Sequence, residues 1–255
     1  MADPTIAKMQ RGHGEQPRPR IVFYDTLRGF TVISMCVFHT CYDLAYLYGL
    51  NMPWFTAPSF QDLWRNSISF TFLILAGWMT SYSRDNFKRS GIYAVTALIV
   101  WAATSVASVD TPVSFGIIYC MAACTFLWAC FARVAHGSLE RFPNIAIYGM
   151  GIVLLALFLI TNGVQHVRYP VEELAWLGFP SVSFASGDYY PLIPYLFLYL
   201  FGAFAAIRYR RSRKHEPAWM LRNWCPPLSF IGRHSLIVYV AHQPIVLLVL
   251  QLILG

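Results

Sequence analysis

Charged residues are scarce in this chain. Only 12% of its 255 residues are Asp, Glu, Lys or Arg, whereas 57% are hydrophobic and 16% are aromatic. An ordinary soluble domain carries about 25% charged residues, so this composition excludes that class of protein. The apolar residues form runs of about 20, the length that crosses a bilayer as a helix. The sequence therefore predicts an all-α, polytopic membrane protein.

Cysteine is also sparse, with six residues in all. None of the outer loops predicted below contains a pair, so we expect no structural disulfide. Cys120 and Cys124 are spaced to share one face of a helix, but that helix carries no His or carboxylate. Small packing residues are the simpler interpretation, and we expect no metal site.

The apolar runs predict seven transmembrane helices. Their approximate bounds are 24–46, 63–83, 91–108, 113–132, 144–161, 190–208 and 233–253. The first 20 residues have no apolar run, and we expect a disordered cytoplasmic tail followed by one transmembrane domain over 21–255. Without a recognisable cleavable signal peptide, the first helix would itself direct insertion. The long loop 162–189 suits either a cap over a site or a plain connector.

Basic residues lie mainly on one side of the predicted helices. The tail and three alternate loops hold 17 of the 19 Lys and Arg, leaving Arg65 and Arg168 on the other side. The positive-inside rule then places the amino terminus in the cytoplasm and the carboxyl terminus outside. The +7 net charge follows from this topology, so we expect no nucleic-acid partner.

The first predicted helix carries Asp25, Arg28, His39 and Asp43. An ionisable group at membrane depth is costly and by default marks a functional site. At about 100° per residue, Arg28, His39 and Asp43 return to nearly one face, and Asp25 lies one turn before Arg28. This stripe predicts the wall of a polar path, although a helix-start acid beside a positive-inside Arg would also explain Asp25 and Arg28.

Counting residues along the helices gives each polar group a depth. His39 and Asp43 fall in the outer half, whereas Arg28 and Arg233 fall at the cytoplasmic mouth among other Arg residues. A second set shares the outer half or the middle of the bundle and is predicted to line the same site: Tyr119, Asp188, Arg65 and His242. Each has a structural alternative: an interfacial anchor for Tyr119 and Arg65, a cap on helix 190–208 for Asp188, and a helix distortion at Gln243-Pro244 for His242.

This separation of groups suggests a chemistry. A histidine in a partly dry site can act as a general base or accept an acyl group, and a carboxylate four residues away can support it. Arginine suits phosphates because its planar fork matches their oxygens. Arg28 and His39 are about 16 Å apart along a helix, which is comparable to the reach of a coenzyme A pantetheine arm.

Seven short stretches follow one another in a characteristic order. They are Asp25–Phe30, Phe38–His39, Phe72–Gly77, Phe115–Tyr119, Ser186–Pro194, Gly232–Tyr239 and His242–Pro244. Together they resemble bacterial-type members of the heparan-alpha-glucosaminide N-acetyltransferase catalytic-domain family, within the wider superfamily that includes acyltransferase-3 enzymes. The resemblance covers nearly the whole span from 20 to 250.

The resemblance implies a membrane-embedded acyltransferase, in the bacterial cytoplasmic membrane, that uses cytoplasmic acetyl-CoA as the acyl donor. Its acceptor would be an amine or hydroxyl of an extracytoplasmic sugar or related molecule. His39 matches the position of a catalytic histidine common in that superfamily.

The predicted site therefore has three parts. His39 and Asp43 are the catalytic candidates, Arg28, Arg233 and Asp25 the candidates for binding the donor, and the acceptor candidates are Asp188, His242, Tyr119 and Arg65. The bilayer, acyl-CoA and the acceptor are the expected partners, and a homodimer stays open. Two other classes also stay open: a transporter or flippase, and a non-catalytic membrane scaffold.

Overall fold

A computed structural model describes residues 20–106, 111–135, 138–213 and 215–254. The predicted tail 1–20 lies outside these residues except for Arg20. Within them the chain folds as α-helices, short turns of other helix types and one isolated β-bridge, between Tyr169 and Ser181. The α-helices are α1 Val22–Tyr42, α2 Pro53–Thr56, α3 Pro58–Trp78, α4 Asn86–Val106, α5 Ile117–Val134, α6 Ser138–Arg141, α7 Asn144–Thr161, α8 Leu192–Ser212, α9 Ala218–Leu221, α10 Pro226–Arg233 and α11 Ser235–Leu254.

The prediction of an all-α membrane protein is confirmed. In the described part of the chain, six helical segments are long and apolar enough to cross a bilayer: Val22–Leu47, Asn86–Val106, Ile117–Val134, Asn144–His166, Leu192–Ser212 and Ser235–Leu254. The predicted helix 63–83 corresponds to α3, which begins at Pro58 and has 21 residues. It is not among the six because Gln61, Asp62 and Arg65 make its first turns polar.

The helix predicted over 233–253 begins at Ser235, and a break at His234 separates it from a short preceding helix. The short helix α10 ends at Arg233, and α11 starts at Ser235. Glycines bring α10 against α1: a Cβ built on Gly29 would collide with the carbonyl of Leu228, and one built on Gly232 would collide with the carbonyl of Asp25. Small residues allow such close backbone contact between membrane helices. The order of these contacts makes α10 antiparallel to α1, so the chain turns at His234 before α11 begins.

A second glycine pair joins α3 to α8. A Cβ on Gly77 would collide with the carbonyl of Tyr199, and one on Gly202 with the carbonyl of Ile74. Tyr199 is fully buried there, and its hydroxyl lies 2.7 Å from Oγ1 of Thr125 on α5. The three helices α3, α5 and α8 therefore form the centre of the bundle.

The cysteines are all free thiols. Cys120 and Cys124 are buried in the core formed by α3, α5 and α8, and their sulfur atoms are 3.8 Å apart. Packing of small apolar side chains accounts for both positions.

The loop from 162 to 189 is held by its own hydrogen bonds. Arg168 donates to the carbonyl of Phe184 at 2.9 Å, and the Tyr189 hydroxyl donates to the carbonyl of Ala175 at 2.6 Å. Its last residues reach the start of α5, where Ser186 Oγ donates to the carbonyl of Ser114 at 2.7 Å. The loop is thus ordered by hydrogen bonds and is anchored to the start of α5.

Candidate active site

Two histidines meet between α1 and α11. The imidazole rings of His39 and His242 lie edge to face with their centroids 5.1 Å apart. Nδ1 of His242 is 2.6 Å from the carbonyl oxygen of Tyr239. Since a carbonyl can only accept, this contact assigns the proton to Nδ1 and leaves Nε2 with its lone pair. That Nε2 atom is buried and has no hydrogen-bond partner among the described residues.

Asp43 lies beyond His39, where α1 changes from an α-helix to a π-helical turn over Asp43–Leu47. Such turns often occur at functional sites. The Asp43 side chain is buried and accepts a hydrogen bond from Nε2 of Gln243 at 2.9 Å. Gln243 directly follows His242 in the chain, so this hydrogen bond places the Asp43 carboxylate beside the histidine pair. Support of His39 by Asp43 stays a prediction, and the sequence had linked Gln243 to a helix distortion.

At the other end of α1, a cavity of about 280 Å³ contains Arg28 and Arg89. Both hydrogen bonds of Arg28 come from Nη1, to the Asp25 carboxylate at 3.2 Å and to the carbonyl of Gly232 at 3.3 Å. Apolar residues complete much of the wall, and Tyr239 forms part of it. The Tyr239 ring is 6.0 Å from the ring of His242, so this cavity ends one helical turn from the histidine pair.

Arg89 is the residue of this cavity that sequence reasoning did not single out. It donates from Nη2 to the carbonyl of Ala76 at 2.9 Å and from Nε to the hydroxyl of Tyr93 at 3.1 Å. Its Nη1 atom is buried and without a partner in the described part of the chain. A buried guanidinium with a spare donor is suited to an anion or a carbonyl oxygen. In the sequence Arg89 is one of many basic residues near a predicted helix start, which gives no sign of this position.

The other two predicted donor residues differ from Arg28. Arg233 is exposed, does not line the cavity, and bonds the carbonyl of Ser229 within its own helix. Asp25 is buried and forms ion pairs with Arg20 and Arg28. The geometry therefore makes Asp25 the counter-ion of Arg28 and places Arg233 outside the cavity.

Asp188 lies at the start of α5. Its carboxylate accepts a hydrogen bond from the backbone N–H of Ile117 at 3.0 Å, so it caps α5 and not the following helix α8, which was the structural alternative. Burial raises the pKa of Asp188 to about 6, and the Ile117 hydrogen bond and the charge of Arg65 oppose that rise. Arg65 itself forms an exposed ion pair with Asp62 at 2.8 Å. Asp188 is therefore a partly buried acid that caps α5, with Arg65 as a nearby charge.

Tyr119 lies outside the arginine cavity, on another side of the bundle. It is 37% exposed, its ring is 5.0 Å from that of Phe115, and it lines an apolar crevice between α4 and α5. Tyr239 of α11 also borders this crevice. Of the four predicted acceptor residues, the structure thus brings His242 directly to His39, whereas Tyr119, Asp188 and Arg65 surround other parts of the bundle.

These features define an integral membrane protein with an arginine-containing cavity at one end of α1 and a histidine pair between α1 and α11. Residues 20–244 match the family model described as heparan-alpha-glucosaminide N-acetyltransferase, catalytic, and the chain belongs to that family. Membership implies a membrane transferase of the acetyltransferase type. Neither a curated protein nor a solved structure matches the chain.

Proposed function

We propose that the protein transfers an acetyl group from cytoplasmic acetyl-CoA to a hydroxyl or amine of an extracytoplasmic sugar or related acceptor. The observation that carries this proposal is the His39–His242 pair beside an arginine-lined cavity on the same helix. Family membership supports the acetyl group and the donor. The excess of basic residues at the Arg28 end supports a cytoplasmic donor side.

In the proposed reaction, the acceptor oxygen or nitrogen attacks the thioester carbonyl carbon of acetyl-CoA. The new bond forms as the C–S bond breaks, and the acceptor proton passes to a histidine and then to the departing CoA thiolate. His39 serves as the base in this direct transfer. In the alternative route, a nitrogen of His39 attacks the thioester and the C–S bond breaks, and the acceptor then attacks the acetyl-imidazole, which breaks the C–N bond and frees His39. The lone pair on Nε2 of His242 makes this second histidine a further candidate base.

At the donor end, Arg28 and Arg89 are proposed to hold phosphate or the thioester carbonyl oxygen. Arg89 has the spare buried donor, and Asp25 fixes the orientation of Arg28. The two arginines approach from α1 and α4, so a ligand between them would be contacted from two helices. Two arginines from different helices can contact two oxygens of one phosphate at once, which a single surface arginine holds less firmly.

Replacement of His39 tests the catalytic half. Protein in lipid nanodiscs is given labelled acetyl-CoA and a membrane extract, and label transfer and thioester hydrolysis are measured. His39→Ala should lower transfer by about 10²- to 10⁴-fold, the usual contribution of a general base, while acetyl-CoA still raises the melting temperature. His166→Ala is the matched control, because His166 lies in the 162–189 loop. Full activity of the His39 variant would remove its proposed role.

Replacement of Arg89 tests the donor half. Arg89→Gln should raise the KM for acetyl-CoA by about tenfold or more, since a charge-assisted hydrogen bond contributes roughly 1.5–3 kcal/mol. Arg84→Gln is the control, because Arg84 is exposed near the same end and does not line the cavity. Equal KM values for the two variants would exclude Arg89 from the donor site.

A further inference from the structure

The crevice that contains Tyr119 is large and carries no charge. Its volume is about 850 Å³, and its walls come from α4, the start of α5, Phe184 and Tyr239. Small residues line it on both helices, including Gly91 and Ala94 on α4 and Ala122 on α5. Along α5 it extends from Ile118 to Phe126, or about 12 Å at the helical rise.

The crevice opens toward the bilayer. Leu98, Trp101 and Phe126, which line it, have exposed fractions of 64%, 51% and 51%. They lie on α4 and α5, two of the helices that are long and apolar enough to cross a membrane. In a membrane their exposed surface faces lipid, so the crevice continues the lipid-facing surface of the protein into the bundle. Hydrocarbon is the chemistry that such an uncharged lining accommodates.

The inner end of the crevice reaches the proposed reaction path. Tyr239 and Ile118 border both this crevice and the arginine cavity. The Tyr239 ring is 6.0 Å from His242, whose partner ring is His39. A molecule with its chain in the crevice and its polar end at Tyr239 would therefore bring that end close to the histidine pair.

We propose that the acceptor carries a hydrocarbon chain, which lies in this crevice while its hydroxyl or amine reaches the histidine pair laterally from the bilayer. The inference rests on the proposed acetyl transfer and specifies its acceptor as a lipid-borne molecule. The proposed donor occupies the arginine cavity and its acyl group has only two carbons, so the 850 Å³ crevice is left for the hydrocarbon chain of the acceptor. The reaction still breaks the C–S bond of acetyl-CoA, forms a C–O or C–N bond and transfers the acceptor proton to the CoA thiolate.

The first experiment follows where the label goes. Membranes from cells that produce the protein, and from cells that lack it, are incubated with acetyl-CoA labelled in its acetyl group and then extracted with chloroform and methanol. We expect label in the organic phase that depends on the protein and is lost with His39→Ala. Protein-dependent label confined to the aqueous phase would overturn the lipid acceptor and leave acetyl transfer standing. Absence of protein-dependent label from both phases would overturn the transfer itself.

The second experiment fills the crevice. Ala94→Phe places a ring in its lining, and Ala102→Phe is the matched control because Ala102 is likewise exposed on the same helix but does not line the crevice. We expect Ala94→Phe to lower organic-phase labelling at least tenfold without changing the hydrolysis of acetyl-CoA in nanodiscs. Equal labelling by the two variants would show that the crevice holds only bulk membrane lipid.

A comparison of two acyl donors tests whether the crevice holds the acyl chain of the donor and not the acceptor. The same variants are assayed with acetyl-CoA and with palmitoyl-CoA. If Ala94→Phe impaired only the reaction with palmitoyl-CoA, the crevice would hold the acyl chain of the donor and the acceptor assignment would be wrong. Impairment with acetyl-CoA supports the lipid-borne acceptor.

Discussion

Gly29 allows α1 and α10 to cross at backbone contact distance, and its replacement by alanine tests how the donor cavity is built. Besides the collision with the Leu228 carbonyl oxygen, the new Cβ would lie 2.8 Å from the Leu228 carbonyl carbon and 3.0 Å from the Gly232 nitrogen. Favourable contacts between carbon atoms begin near 3.5 Å, so the helices must separate by on the order of 1 Å. Overpacking of this kind costs about 1–3 kcal/mol.

The expected result is a lower melting temperature in detergent or nanodiscs, by about 2–4 °C for each kcal/mol in a chain of this size. Gly149→Ala is the control, because nothing lies within 4 Å of a Cβ at Gly149. There the substitution should stabilise the helix by about 0.5–1 kcal/mol, so the two variants should shift in opposite directions.

The same variant should also affect the donor site. Separation of α1 from α10 lengthens the 3.3 Å hydrogen bond from Arg28 to the Gly232 carbonyl, so we expect a higher KM for acetyl-CoA in Gly29→Ala than in Gly149→Ala. A Gly29 variant with the melting temperature and KM of the wild type would refute the reasoning about both packing and cavity.

Three further substitutions test single contacts. Since burial raises the pKa of Asp188 from 3.8 to about 6, the folded state binds its proton more tightly than the unfolded chain does, and the resulting stability is lost as the pH rises from about 4 to 6. Asp188→Asn should therefore reduce the pH dependence of the melting temperature between about pH 4 and 6. An unchanged slope of melting temperature against pH would contradict this. Gln243→Leu removes the hydrogen bond to buried Asp43. It should lower acetyl transfer about tenfold or more with an unaltered KM for acetyl-CoA, because a loss of about 1.4 kcal/mol corresponds to tenfold in rate. A raised KM alone would place Gln243 in the donor site. Tyr199→Phe removes a buried hydroxyl from Thr125 and should lower the melting temperature by about 2–4 °C, whereas an unchanged value would show that the bond adds no stability.

The helices could be predicted because each spanning segment needs a long apolar run. This requirement is local in sequence, so the run at 144–161 coincides with α7, Asn144–Thr161. Helix α10 could not be found in the same way: it has only eight residues and its position depends on contact with Gly29. A hydropathy pattern contains no information about such a partner.

The candidate site could be outlined from the sequence where its residues share one helical segment. Arg28 and His39 lie on α1 and Asp43 begins the π-helical turn that continues it, so local periodicity alone relates the three. The cap that Asp188 places on α5 joins residues 71 positions apart, and the spare donor of Arg89 depends on which groups surround it after folding. Those relationships are properties of the tertiary packing, which the sequence pattern does not express.

Buried polar atoms without partners occur both at the arginine cavity and at the histidine pair. Of seven such atoms within the described residues, Arg89 Nη1 lies at the cavity, and His242 Nε2 and Gln243 Oε1 lie at the histidine pair. Each unsatisfied buried group costs about 1–3 kcal/mol, and no bulk water relieves this cost inside a bilayer. A donor that accepts from Arg89 and an acceptor that donates to His242 would satisfy two of them, so binding of both substrates should stabilise the protein more than either alone.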